Sequence, residues 1–231
     1  MNKENVLFGI IGLLLGLIIG FVFANKYNQD QSQPRVTTQS NPTISTTANP
    51  QEGHTGSNGQ GGMMPEVAQA IEKAKNEPNN FDAQMQAASI YYRIQQFDKA
   101  IEHFQQANKI KPDNYDAIVW LGNSNFDAHR YEIAGRWYTD ALVKNPDDIA
   151  VRTDLGLTFM FRTPPDYDRA IKEFEGSLQR DLNHKQTLQN IASAYIQKRD
   201  GLKAKEYLDR LEKIDPNNEA IVSMRQKIQS L

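Results

Sequence analysis

Cysteine is absent from the 231 residues. That removes disulfides, thiolate zinc sites, cysteine nucleophiles and lipid attachment through a thiol in one step, while leaving the compartment open. Histidine is scarce, and His103, His129 and His184 stand far apart, with no serine, aspartate and glycine-rich arrangement near them that would make a nucleophile and its base. His54 has Met63 and Met64 nearby but no second histidine, so no metal site is expected. No GxxxxGK[ST] or GxGxxG loop is present to cradle a phosphate. An enzyme is therefore not expected, and neither is a cofactor.

A basic excess is missing too. Of 26 Lys+Arg and 28 Asp+Glu, only Lys3, Lys26 and Arg35 and only Glu4, Asp30 and Glu52 precede Pro65, so the remainder carries 23 against 25. A near-neutral surface lacks the cationic field that binds phosphate backbones, and no nucleic acid partner is expected. At 39% hydrophobic residues the chain holds apolar material for one core of ordinary size.

What is present is unevenly distributed. After a short tail (1–5), residues 6–24 read VLFGIIGLLLGLIIGFVFA without a charge. At 1.5 Å per residue this run spans about 28 Å, close to the hydrocarbon thickness of a bilayer, and it predicts a transmembrane helix. A cleaved signal peptide is the rival, since Val22 and Ala24 suit a cleavage site. Against it stand the length of the run and an n-region in which Glu4 offsets Lys3. Gly12, Gly16 and Gly20 fall on one face of that helix. Two readings fit them: close pairing of two such helices into a homodimer, or the general frequency of glycine in membrane helices.

Residues 25–64 are rich in Gln, Ser, Thr, Asn, Pro and Gly and too poor in apolar groups to offset the entropy of ordering, which predicts a disordered stalk. As a coil it would reach about 35 Å, enough to lift a domain off the headgroups. Such a stalk suits an extracytoplasmic, periplasmic domain on a single-pass anchor in the cell membrane.

From Pro78 onward the sequence repeats. Pro78, Pro112 and Pro146 recur every 34 residues, as do Ala100 with Ala134 and Ala107 with Ala141. A third copy keeps Leu155, Gly156, Ala170 and Phe174 but has two extra residues around Thr163, Pro164 and Pro165, and its closing proline is replaced by Leu182. A fourth copy regains the phase with Ala192, Ala204, Leu208 and Pro216. Each copy holds two amphipathic stretches at helical spacing, and proline closes the second. Ala88, Gly122, Gly156 and Ala192 leave room for the two helices of a copy to approach.

These features resemble the tetratricopeptide-repeat (TPR) family. Its unit carries a Leu-Gly pair, an aromatic residue, then alanine, an aromatic, alanine and proline, matched most fully here by Leu121, Gly122, Ala134, Tyr138, Ala141 and Pro146. In the second copy Asn125 takes an aromatic position, followed by Phe126. In the first, Gln84 takes a large apolar position, which predicts looser packing of that helix. The implied architecture is an all-α solenoid: a capping helix at 65–78, repeats at 81–114, 115–148, 149–184 and 185–218, and a solvating cap at 219–231.

The resemblance also implies a concave groove lined by the first helix of each repeat, which receives a protein or peptide segment. By register it would be largely apolar and include Val119, Asp127, Thr153, Phe161 and Ile196, with Tyr92, Asn123, Phe126 and Met160 as the residues expected to grip a ligand. Asn123 would bond a peptide backbone, and Tyr92 and Phe126 would offer rigid area. The subclass that captures a C-terminal carboxylate uses a basic and amide set over three repeats, of which only Asn123 has a counterpart here. The leading expectation is a membrane-tethered adaptor in the assembly or maturation of an envelope complex. Anchor, stalk and repeats are similar to those of bacterial cytochrome c-biogenesis factors that hold an apoprotein. The alternative is a structural or regulatory subunit associating through its membrane helix and convex faces.

Overall fold

The computed structural model describes residues 65–231, which form ten α-helices and no strand. They are α1 (Pro65–Asn76), α2 (Phe81–Arg93), α3 (Phe97–Ile110), α4 (Tyr115–Asp127), α5 (Tyr131–Lys144), α6 (Ile149–Phe161), α7 (Tyr167–Leu178), α8 (Lys185–Gln197), α9 (Gly201–Ile214) and α10 (Ala220–Gln229). Each packs on the next in sequence; α6 also touches α8, and α8 touches α10. The even-numbered helices α2, α4, α6 and α8 are the first, or A, helices of four hairpins, and α3, α5, α7 and α9 are their B partners. No described helix is long and apolar enough to cross a membrane. The expected membrane helix at 6–24, with Gly12, Gly16 and Gly20, and the stalk at 25–64 lie outside the described residues.

The starts of the A helices are written in the repeat. Asn80, Asn114 and Asp148, spaced by the period, each accept a hydrogen bond from the amide three residues on, at Ala83, Ala117 and Val151, over 2.9–3.1 Å. These caps satisfy amides that a helix start leaves unpaired. At the fourth position His184 stands instead, its Nδ1 2.7 Å from the Thr187 hydroxyl. The turns from A to B use a residue in the left-handed region, Gln95, His129 and Arg199, with φ of 59°, 58° and 61°. The amide after each bonds back to Tyr91, Asn125 and Tyr195 respectively, a helix stop usually built on glycine.

The third hairpin departs from this, as its two extra residues require. Arg162 leaves α6 in extended conformation, and the loop is closed by the Asp166 amide bonding the Phe159 carbonyl and by an Arg162–Asp166 ion pair at 2.7 Å. Asp166 then caps α7 through the Arg169 amide.

Helix A meets helix B at the small residues. A Cβ at Gly122 would stand 2.5 Å from Cε1 of Tyr138, and one at Gly156 2.5 Å from Cε1 of Phe174. One side of each ring thus stands where a Cβ would otherwise be. Ala88 and Ala192 hold the equivalent places and are fully buried beside Phe104 and Leu208. Burying each large side chain contributes about 1.5–3 kcal/mol, and the close approach makes that burial complete.

Gln84 does not loosen the first hairpin. It is buried, donates to the Ala74 carbonyl at 2.7 Å and lies 2.7 Å from His103 Nδ1, stitching α1, α2 and α3 together. Ala83, Ala87 and Ala88 around it are likewise buried. Asn125, also buried, donates to the Leu121 carbonyl of its own helix at 2.7 Å and leaves α4 regular.

Gly156→Ala is expected to destabilise the domain by about 1–3 kcal/mol, because the Phe174 ring cannot withdraw without breaking its packing. Urea unfolding followed by circular dichroism measures it; an exposed control, Gln179→Ala, is expected to stay within about 0.5 kcal/mol.

Candidate functional site

The A helices carry the side chains expected to bind a partner. Tyr92, near the end of α2, packs its ring edge-on against Trp120 at 5.1 Å and Phe97 at 5.6 Å between centroids. Its hydroxyl donates to Asp127 at the end of α4. Burial, then the Asp127 carboxylate beside it, push the Tyr92 phenol far above its ordinary range. Burial also raises the Asp127 carboxyl, with the Tyr92 bond and then the charge of nearby His129 opposing that shift. Tyr92 is thus a brace between the first two repeats, presenting only part of its ring.

Asn123, one turn before Asp127, is held from behind. The Tyr138 hydroxyl of α5 donates to its Oδ1 at 2.9 Å. That bond leaves both Nδ2 hydrogens for another acceptor, since no described residue takes them. Tyr138 is itself buried, and burial raises its phenol well above 10.0, so the hydroxyl stays a donor at any ordinary pH.

Phe126 lies in an aromatic trio. Its ring meets Tyr131 at 5.3 Å and Phe161 at 5.9 Å, both edge to face, and Tyr131 meets Phe161 at 5.8 Å. Phe161, at the end of α6, remains 46% exposed. Nothing in the sequence marks Tyr131 as part of the site. It opens α5 directly after the left-handed turn at His129, and that turn carries it round to face α4.

Met160 sits apart from this group, half-buried against the core of repeats three and four. Two residues assigned to the groove by register are interior instead. Thr153 is buried, its hydroxyl donating to the Ile149 carbonyl at 2.8 Å and lying 2.7 Å from that of Thr187 on α8. Ile196 is buried in the core of the last repeats.

The expected apolar lining is interrupted by two carboxylates. Asp127 is one; Asp154, in the middle of α6, is the other. Asp154 is half-buried and forms no hydrogen bond or ion pair with a described side chain. Burial, followed by the nearby charges of Asp148 and Asp127, raises its carboxyl to about 7. The same charge bears on Tyr92 and Tyr138. Repeat alignment marks its position only weakly, because Trp120 stands there in the second copy and Asn190 in the fourth.

Comparison with known proteins identifies the repeats. A family model described as TPR repeat matches residues 88–129, and one described as tetratricopeptide repeat matches 186–218. Over these two stretches the chain carries tetratricopeptide repeats. Among solved structures, YrrB, described as a TPR protein with an unusual peptide-binding site, superposes with a TM-score of 0.62 at 20% identity, over 69% of this chain and 81% of that one. A MamA structure from Desulfovibrio magneticus RS-1 gives a TM-score of 0.61 at 16% identity, over 66% and 85%. At these identities the likeness is one of fold. A peroxisomal targeting signal receptor of Candida albicans is 38% identical over 79 residues, a stretch covering 33% of this chain and 13% of that receptor.

In TPR terms, Tyr92, Phe126, Asp127 and Phe161 all lie in the last turns of the A helices of repeats one to three, with Asn123 and Asp154 farther back along their helices. The face therefore combines an oriented amide, an exposed aromatic edge and two carboxylates.

The Asp154 carboxyl sets a pH dependence. Its folded pKa of about 7 lies above the ordinary 3.8, so the ionised form costs stability. That cost is absent below the unfolded value and is reached in full as pH rises through the folded one. Asp154→Asn is expected to be more stable than the parent at pH 8 by on the order of 1–2 kcal/mol, kept below the full shift because water reaches part of the group. The gap closes towards pH 4.5, as thermal unfolding of the two proteins at each pH measures.

Proposed function

We propose that this chain is a membrane-anchored TPR scaffold that holds a segment of a protein partner along its A-helix face. The anchor is the apolar helix at 6–24 and the spacer is the polar stretch at 25–64. The repeats work on the extracytoplasmic side in assembling or maturing an envelope complex, and the chain itself performs no catalysis.

The observation that carries this reading is the amide of Asn123. Tyr138 fixes its oxygen from the interior, so the two free N–H groups are aimed before any ligand arrives, and little order is lost on binding. Beside it the Phe126, Tyr131 and Phe161 rings supply apolar area on stiff side chains. The likeness to YrrB, a TPR protein described with a peptide-binding site, supports a peptide-like ligand, as does the partial match to a targeting-signal receptor.

Asn123→Asp keeps the acceptor for Tyr138 and deletes the donors. Combined with Phe126→Ala in the full chain, it is expected to lower recovery of co-purifying partners from detergent extracts at least tenfold at unchanged helical content. Gly16→Ile is expected to leave recovery intact. An unchanged partner set in the double variant, or loss through Gly16→Ile alone, contradicts groove binding.

A further inference from the structure

Repeat two differs from its three neighbours at two places that meet. Where it has Asn123 on the A helix, the aligned residues are Ser89, Leu157 and Ser193; where it has Tyr138 on the B helix, they are Phe104, Phe174 and Leu208. The amide and the hydroxyl therefore occur together, in this repeat alone, and they lie 2.9 Å apart. Packing does not need the hydroxyl. The Phe174 ring stands against Gly156 as closely as the Tyr138 ring against Gly122, and it does so with a hydrocarbon edge only. A buried hydroxyl costs free energy unless it is hydrogen-bonded, so its presence calls for a role beyond filling the gap.

The bond has a direction. Tyr138 is buried, and among the described residues Asn123 is the one partner of its hydroxyl. The phenol proton goes to the Asn123 oxygen, because turning the amide round would leave that proton inside the domain without an acceptor. Nδ2, a donor with two hydrogens, is thereby turned away from Tyr138. Ser89, at the aligned place in repeat one, spends its hydroxyl on the Met85 carbonyl of its own helix at 2.9 Å, and Leu157 has no polar group to offer. Phe126 follows Asn123 by three residues and shares its helix face, with the exposed Phe161 ring beside it. With the Asp127 carboxylate one turn on along the same face, a neutral acceptor fits there and an anionic one does not.

We infer that Tyr138 is a positioning residue that makes Asn123 the polar register point of the A-helix face. Its hydroxyl holds the amide oxygen inward, so the contact there takes a neutral hydrogen-bond acceptor, a backbone carbonyl of an extended partner segment, and turns away a donor. The segment is held in one register, with an apolar side chain next to that carbonyl on the Phe126 and Phe161 rings. This rests on the groove-binding reading above and specifies which group of the ligand meets repeat two.

Dodecapeptides selected from a phage-displayed random library on the full chain in detergent micelles are the probes. Their affinities are measured for the parent, Tyr138→Phe, Asn123→Ala, those two combined, and Tyr115→Phe, which deletes a hydroxyl bond to Asp148 elsewhere. Tyr138→Phe keeps the ring that repeats one and three use, and melting curves check each fold. It is expected to weaken binding about fivefold, the size of one neutral hydrogen bond, with Tyr115→Phe staying within about twofold of the parent. Once Asn123→Ala is made, Tyr138→Phe is expected to cost nothing further, which a purely structural role would not produce. Each peptide carbonyl is also replaced in turn by a thiocarbonyl, a weaker acceptor beside a stronger N–H donor. One position is expected to lose affinity for the parent but not for Asn123→Ala. If Tyr138→Phe binds like the parent, or weakens binding as much with Asn123→Ala as without it, the positioning role is overturned and groove binding stands. The absence of such a carbonyl has the same meaning. Unchanged affinity in Asn123→Ala, or selection of no peptide at all, would count against both.

Discussion

The approach of each A helix to its own B helix governs what the rest of the molecule can do. At Gly122 and Gly156 an aromatic ring from the B helix occupies the space a methyl group would need, and at Ala88 and Ala192 a single methyl is all the space allows. Because B helices also pack on the A helix that follows, this spacing sets how far one repeat is turned from the next. It decides which A-helix residues become interior and which stay available. Thr153 and Ile196 turn inward, while Asn123, Phe126 and Phe161 stay accessible.

The same geometry explains why polar groups cluster on the A-helix face. Tyr138 fills the gap under Gly122 with its ring, and its hydroxyl then emerges at Asn123. Tyr92 reaches from one repeat to the next to meet Asp127, and Thr153 does so to meet Thr187. These links run across repeat boundaries, where a solenoid depends on nearest-neighbour contacts alone. Exposed ion pairs such as Arg130–Asp98 and Arg180–Asp147 span similar sequence distances but contribute little each in water.

Much of the fold is legible in the chain because the repeat is carried by residues whose roles are local. Prolines at 78, 112 and 146 stop helices, Asn114 and Asp148 start them, and Gly122 and Gly156 mark where backbones meet. The site is less legible because its parts come from three repeats. Nothing in the sequence says that Tyr92 reaches Asp127 or that Tyr138 meets Asn123. By sequence Gln84 is a polar residue at a large apolar position, and only the carbonyl of Ala74 and the ring of His103 show how it is satisfied. The left-handed turns at Gln95, His129 and Arg199 escape sequence reading because no glycine announces them.

Site-specific photocrosslinking in cells tests the central claim most directly. A photoreactive residue at position 126, on the A-helix face, is compared with one at position 143, where Val143 of α5 is 79% exposed on a B helix. The account predicts a discrete partner adduct from position 126 that disappears when Asn123→Asp is introduced, and none from position 143. An adduct from position 143 alone, or one from 126 indifferent to Asn123→Asp, would contradict it.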